Sequence, residues 1–280
     1  MFQPYARALA SGGAWRPGPD LLAGGECNNS VAPVRQTGSE EMTVASPQDL
    51  RFDVPLYTVA EAARAVDVPA STFATWAKGY VRRPESRSEV RGEPVVTAFV
   101  ARSAEPSIPF IGLAEGLVLA AVRRSGVPMQ RVRPALAALE RELGVAHALA
   151  SRSLYTDGAE VLFDYGLASA DGPEMIGQLV VVRNGQRVFV DVVADYLRRI
   201  DYDTSDGYAR LIRVPAYESD VVCDPTRSFG RPIFACGGAR VSDVLDRFQA
   251  GDSLDELSAE FGVPISDLED ALRVASRRAA

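Results

Sequence analysis

Ser71, Thr72, Thr75 and Lys78 fall within one short stretch, at or near the exposed face of a helix over 70–78, and Arg82, Arg83, Arg87 and Arg91 follow closely. Short hydroxyls and a lysine on a helix suit contacts with base edges and phosphates, and clustered arginines suit phosphate clamping. The same residues also fit a solvated helix face and a soluble loop, because Glu85 and Glu89 alternate with the arginines. Other chemistry has few residues to work with. His147 is the one histidine, which excludes a His-rich metal site. Lys78 is the one lysine and sits in Ala77-Lys78-Gly79, so no phosphate-cradling Gly-Lys-Ser/Thr loop exists. No G-x-S-x-G elbow occurs. The acidic run Asp201-Tyr202-Asp203-Thr204-Ser205-Asp206-Gly207 has the look of a calcium loop, but its glycine comes one place late and Ile212 stands where a bidentate Glu belongs. With no nucleophile–base pair and no metal cluster, the reading is a non-enzyme without metal or cofactor.

These residues need elements to hold them. Thr58 and Glu61 form a capping box that starts a helix running to Val66, Val68-Pro69 breaks it, and a second helix spans Ala70 to Lys78, with Phe73 and Trp76 inward and Gly79 at its end. Two short helices and a tight turn are the helix-turn-helix pattern. The basic loop and the short β run at Val95-Val96 could add a wing. An amphipathic helix is expected over 112–126 (Leu113, Leu117, Leu119, Val122), another from Met129 to Leu143 (Val132, Leu136, Leu139), and a shorter one near 146–152, with His147 an ordinary helix-end residue. Hairpins follow around Asp157-Gly158 and Asn184-Gly185, then strands at Leu211–Val214 and Val221–Cys223. Three short helices close the chain. The first carries Val244, Leu245 and Phe248 and ends at Gly251; the others start at capping boxes Ser253/Glu256 and Ser266/Glu269, with Gly262-Val263-Pro264 at a turn. Residues 1–50, rich in Gly, Pro, Ser and Asn, read as a disordered tail, and 1–41 as dispensable, with Met42 a plausible start.

The fold class is therefore α+β: a tail over 1–50, a helix-turn-helix with a helical extension over 51–152, a β-rich middle over 153–240, and a helical, helix-turn-helix-like end over 241–280. A length of 280 residues suits about two domains. No apolar run is long enough for a membrane span and no signal peptide is visible. With only Cys27, Cys223 and Cys236, a disulfide scaffold is not expected; Cys223 and Cys236 read as buried thiols in a reducing, cytoplasmic compartment. The net charge of −7 conceals a gradient: −2 over 1–56, +4 over 57–152, −4 over 153–240 and −5 over 241–280. Phosphate contacts supply most nucleic-acid affinity, so the first helix-turn-helix is the DNA reader and the acidic last one packs on protein.

Tyr57-Thr58-Val59-Ala60-Glu61-Ala62-Ala63, continuing to Trp76, resembles the opening of MerR-like helix-turn-helix domains. No sustained heptad follows, which departs from a standard MerR activator. Ser228-Phe229-Gly230-Arg231-Pro232-Ile233-Phe234-Ala235, then Gly237-Gly238-Ala239-Arg240-Val241 and Val244-Leu245-Asp246-Arg247-Phe248, resembles the small winged-helix domain of bacterial antitoxins encoded beside PIN-like toxins. Leu154-Tyr155-Thr156-Asp157-Gly158 is similar to the long, two-domain VapB-type members. The resemblance covers about 55–276. It implies a protein that blocks a PIN-type ribonuclease and represses the shared promoter; a single reading helix gains affinity and site length by dimerising, so a homodimer on double-stranded operator DNA is expected. Some homologues are solitary regulators, so a DNA-binding protein that senses a ligand or partner is the alternative, and an interaction protein without a DNA role a third. A PIN site gathers carboxylates around a metal, which arginine can pair bidentately. Arg273, Arg277 and Arg278, with a small tail after Val274, could reach into it or could instead offset the helix dipole.

Overall fold

In the computed structural model, the described residues are 47–83, 89–102, 104–126, 129, 132–133, 136, 140, 144–154 and 192–279. Of the expected disordered tail over 1–50, residues 1–46 lie outside them, whereas 47–50 open a helix (Pro47–Phe52) that packs on the core, so order begins earlier than composition suggested. Arg87 and the hairpins around Asp157-Gly158 and Asn184-Gly185 also lie outside the described residues.

The core is organised around one helix. α4 (Phe110–Arg124) is buried from Phe110 through Val122, on every face. An amphipathic helix over 112–126 was the expectation; the helix starts two residues earlier and has no wet face over most of its length. The reason is its central position: α1 (Pro47–Phe52), α2 (Val59–Ala65), a 3-10 turn at Ala148–Ala150 and the strand Ala209–Arg213 all pack against it, and a helix enclosed on all sides is apolar all round. Gly116 makes one of these contacts possible, since a Cβ there would lie 2.5 Å from the Phe73 ring. Positions 129, 132, 133, 136 and 140 are helical, with Val132 and Leu136 buried. The short helix expected near 146–152 forms as a 3-10 helix over Ala148–Ala150, preceded by His147 in a left-handed conformation (φ 52°).

Four antiparallel strands follow in chain order, β3 (Ile200–Tyr202), β4 (Ala209–Arg213), β5 (Val221–Cys223) and β6 (Ile233–Phe234). Ile200 pairs with Ile212, Ile212 with Cys223 and Val222 with Ile233. The β3–β4 turn absorbs the acidic run: Asp203 accepts from the Ser205 N–H and hydroxyl, Asp206 pairs with buried Arg51 at 2.6 Å, and Asp201 pairs with Arg213 at 2.8 Å. The carboxylates thus have protein partners, and among the described residues no group of three or more His, Cys, Asp or Glu side chains is arranged to hold a metal.

The last three helices are α5 (Val241–Ala250), α6 (Leu254–Phe261) and α7 (Ile265–Ala279). The Ser253/Glu256 box forms in both directions, and left-handed Gly251 and Gly262 end α5 and α6. The expected box at Ser266/Glu269 does not form. Helix α7 starts at Ile265, with the Asp267 and Leu268 N–H groups both donating to the Pro264 carbonyl, so Ser266 already lies inside the helix. Buried Asp270 on α7 accepts from the Glu218 N–H (2.8 Å), the Ser219 N–H (3.0 Å) and the Ser219 hydroxyl (2.9 Å), tying α7 to the loop before β5. Burial pushes its carboxyl up, yet these hydrogen bonds outweigh that and leave it below the usual range.

The two ends of the chain share this core. Tyr57, just before α2, is buried, and its hydroxyl donates to the Gly230 carbonyl at 2.7 Å. Burial raises the Tyr57 phenol well above its ordinary value, so it stays a donor. Gly230 has φ 73°, and a Cβ there would come within 2.2 Å of the Tyr57 oxygen. Arg278 on α7 donates to the Arg64 carbonyl in the last turn of α2 at 2.9 Å. The core is accordingly one cluster from Tyr57 to Val274.

Candidate nucleic-acid interface

The first helix-turn-helix forms as its sequence directs. Thr58 accepts from the Glu61 N–H while the Glu61 carboxylate accepts from the Thr58 N–H at 2.8 Å. Asp67 takes a left-handed turn (φ 57°), and α3 (Ala70–Lys78) follows with Phe73, Trp76 and Ala77 buried against the core. Gly79 reverses the chain into β1 (Tyr80–Arg82), which pairs antiparallel with β2 (Val90–Gly92), so Arg82, Arg83 and Arg91 lie on or beside a two-stranded wing. The expected β run at Val95-Val96 is not a strand: this segment follows β2 and is held to α3 by its Val95 and Val96 N–H groups, which both donate to the Trp76 carbonyl.

Ser71 and Lys78 are exposed on α3, while Thr72 and Thr75 are half-buried. Thr75 donates to the Ser71 carbonyl at 2.9 Å. Thr72 accepts from Arg123, in the last turn of α4, at 2.9 Å. Its neighbour Arg124 pairs with Asp67 in the turn. These two arginines were not among the expected site residues; the signal, a doublet at the end of an apolar helix, was legible but its spatial target was not. On the wing, Arg83 and Arg91 both bond the Glu89 carboxylate, at 2.7 and 2.5 Å, with both arginine side chains more than two-thirds exposed. The two guanidiniums hold that carboxyl below its ordinary range. Arg82 ends β1. A cleft of about 890 Å³ runs beside α3, bordered by Ser71, Ala74 and Lys78 and by Phe99, Val100 and Arg102.

Beneath the wing lies a polar cluster that sequence reading missed. Glu115, buried in the middle of α4, accepts from the Thr97 N–H at 2.6 Å and the Thr97 hydroxyl at 3.0 Å, and pairs with His147 Nδ1 at 2.9 Å. It fixes the irregular segment that follows β2. A lone carboxylate inside the apolar run Phe110–Val122 was its available signal. The hydrogen bond to Glu115 raises the His147 pKa above its ordinary value, with burial opposing.

The C-terminal arginines are placed differently from a threading tail. α7 remains helical through Ala279 rather than ending near Val274, and Val274 itself is buried. Arg278 is engaged at the Arg64 carbonyl and over the Tyr217 ring. Arg273 lies 3.7 Å from Glu269, and Arg277 is exposed in the last turn. Among the described residues no helix is long and apolar enough to cross a membrane.

Residues 55–136 match a family described as "Putative DNA-binding HTH domain", and residues 221–275 match one described as "Protein of unknown function (DUF433)". The chain is 46% identical over 229 residues to "Putative antitoxin VapB45" of Mycobacterium tuberculosis, covering 80% of this chain and 95% of that protein. It is 27% identical over 237 residues to "Uncharacterized protein Rv2308" of the same organism, covering 79% and 90%. The crystal structure of Rv2018 from M. tuberculosis superposes with a TM-score of 0.64 at 38% identity, over 80% of this chain and all of that one.

Proposed function

The chain belongs to the VapB45 antitoxin family, and from that premise we propose that it is a DNA-binding antitoxin that neutralises a PIN-type ribonuclease in the cytoplasm and represses its own promoter. The observation that carries the DNA half is the winged helix-turn-helix in the stretch 57–152, where the chain has its net positive charge of +4. Ser71 and Thr75 read base edges, Thr72 and Lys78 orient α3 on the duplex, and Arg82, Arg83, Arg87 and Arg91 clamp phosphates. One reading helix per chain gains affinity and site length by dimerising, with half-sites about 34 Å apart, so the active form is a homodimer on an inverted repeat. The toxin half uses arginine toward the carboxylates of the nuclease. Of the three C-terminal candidates Arg273, Arg277 and Arg278, the exposed Arg277 serves this role best.

The test is a gel shift on the region upstream of the gene together with co-purification of the adjacent gene's product. Replacing Arg83 and Arg91 by Ala is expected to weaken binding on all sequences, and Ser71→Ala to relax base preference. An unchanged shift in all of these variants places the DNA reader elsewhere. A neighbour that neither co-purifies nor loses ribonuclease activity leaves a solitary regulator.

A further inference from the structure

The motif Ser228-Phe229-Gly230-Arg231-Pro232-Ile233-Phe234 divides into residues the fold uses and residues it does not. Ile233 and Phe234 are core, and Gly230 receives the Tyr57 hydroxyl. Phe229 does none of this. Its side chain is 71% exposed, a large apolar ring standing in solvent. Its backbone is also costly: Ser228, Phe229 and Gly230 are three successive residues in the left-handed region, at φ 48°, 54° and 73°, and only the glycine occupies it without penalty. The turn is held by backbone groups, Gly230 N–H to the Arg227 carbonyl and Arg231 N–H to the Ser228 carbonyl, together with the Tyr57 hydroxyl. Nothing in these bonds needs a phenyl group, so the chain tolerates a strained, wet aromatic that its own stability does not require. Strain maintained without a structural return marks a site of function.

The surroundings indicate what this ring meets. Arg227 and Arg231 flank it, both exposed. Arg227 makes no ion pair among the described residues, and Arg231 reaches Glu61 only at 4.0 Å. Arg231 also lines a small cleft of about 250 Å³ together with Arg64 and Arg278, so one cation of this loop shares an opening with the end of α7. Arg227, Arg231 and Arg278 belong to the net-acidic stretch 153–280, Arg64 to the basic one, and Glu61 is the carboxylate that lines the same cleft. An exposed aromatic with arginines beside it is the composition of an interface hot spot, and its charge fits an acidic protein. Phosphates would meet the net-acidic stretch to which the loop belongs, which disfavours DNA.

We propose that Phe229, presented between Arg227 and Arg231, is the anchor by which this protein holds its toxin, the ring entering an apolar cup rimmed by carboxylates. This rests on the antitoxin reading above and names the surface that reading lacks.

The test uses the full chain and the purified product of the adjacent gene. Phe229→Gly is the informative variant, because glycine accepts φ 54° and almost no buried surface is lost. Its melting temperature should equal or exceed that of the unmodified protein, its gel shift should persist, and its affinity for the neighbour should fall about 30-fold or more, the range of an aromatic hot spot. Arg227→Glu with Arg231→Glu should weaken the same complex and reverse its salt dependence. Unchanged affinity of Phe229→Gly overturns the anchor. A lowered melting temperature overturns it too, by showing the ring to be structural, as does a lost gel shift with toxin binding intact, which would make the ring a DNA wedge. If the unmodified protein shifts DNA but does not bind the neighbour, the antitoxin reading and the anchor fall together. If it binds and Phe229→Gly binds equally, only the anchor falls.

Discussion

Glu89 sets how much of the wing's charge is available to a phosphate. It occupies both Arg83 and Arg91 while all three groups face water. Exposed pairs of this kind contribute little to stability, so their removal should be visible in binding and not in folding. Glu89→Gln is expected to leave the melting temperature unchanged, raise DNA affinity at low salt, and steepen the plot of log K against log salt by about one to two units, as two guanidiniums become free for phosphates. A salt slope equal to that of the unmodified protein would mean the wing does not touch the backbone. His147 makes a second prediction at this scale. Its pKa is raised in the folded state, first by the hydrogen bond to Glu115. The stabilisation is therefore complete below the unfolded value of about 6.5 and is lost as pH rises through the higher folded value. Thermal stability should decline from mildly acid toward alkaline pH over that window, and His147→Gln should flatten the decline. A profile that the substitution leaves unchanged would remove His147 from the titration.

At the scale of elements, the joint between Tyr57 and Gly230 is where the helix-turn-helix meets the C-terminal half. Tyr57→Phe keeps the buried ring and leaves the Gly230 carbonyl without this donor. A loss of about 1–2 kcal/mol in urea denaturation is expected, with the two halves less tightly coupled; no loss would show that water satisfies the carbonyl instead. The contrast between this joint and the local elements shows what was legible beforehand. Helices α2, α3 and α6 were readable because their signals are local: Thr58 with Glu61, Ser253 with Glu256, and glycines at positions that need positive φ. Ser266/Glu269 has the same letters, yet Pro264 starts α7 earlier, and competition between adjacent start signals cannot be resolved from spacing alone. The all-round burial of α4 depends on which elements surround it, and Leu113, Leu117, Leu119 and Val122 suggest one face only until Ile111, Ala114, Val118 and Ala121 find neighbours too. The partners of Thr72, Arg51 and Asp270 lie 51, 155 and about 50 residues away along the chain, separations at which periodicity carries no information.

The described residues combine a helix-turn-helix in a net-basic stretch with a net-acidic remainder around one core, and the core governs how the two behave. Arg51 to Asp206, Tyr57 to Gly230 and Arg278 to Arg64 each join the first helix-turn-helix to the sheet or to α7. The apolar cluster likewise runs without a break from Tyr57 to Val274. A linker between two independent domains would let the halves unfold separately; a shared core makes either half expose apolar surface when the other opens. Trp76 on α3 is buried and reports the helix-turn-helix, whereas helical circular dichroism reports α5–α7 as well. In a Trp15→Phe background, tryptophan fluorescence and circular dichroism should therefore follow the same urea curve with one midpoint. A fragment ending at 152 should lose cooperative unfolding, since Tyr57 would keep neither its acceptor nor the Gly230 turn that covers it. Two separated midpoints, or a fragment that melts cooperatively and still shifts DNA, would show that the joint is a docking surface between domains that fold alone.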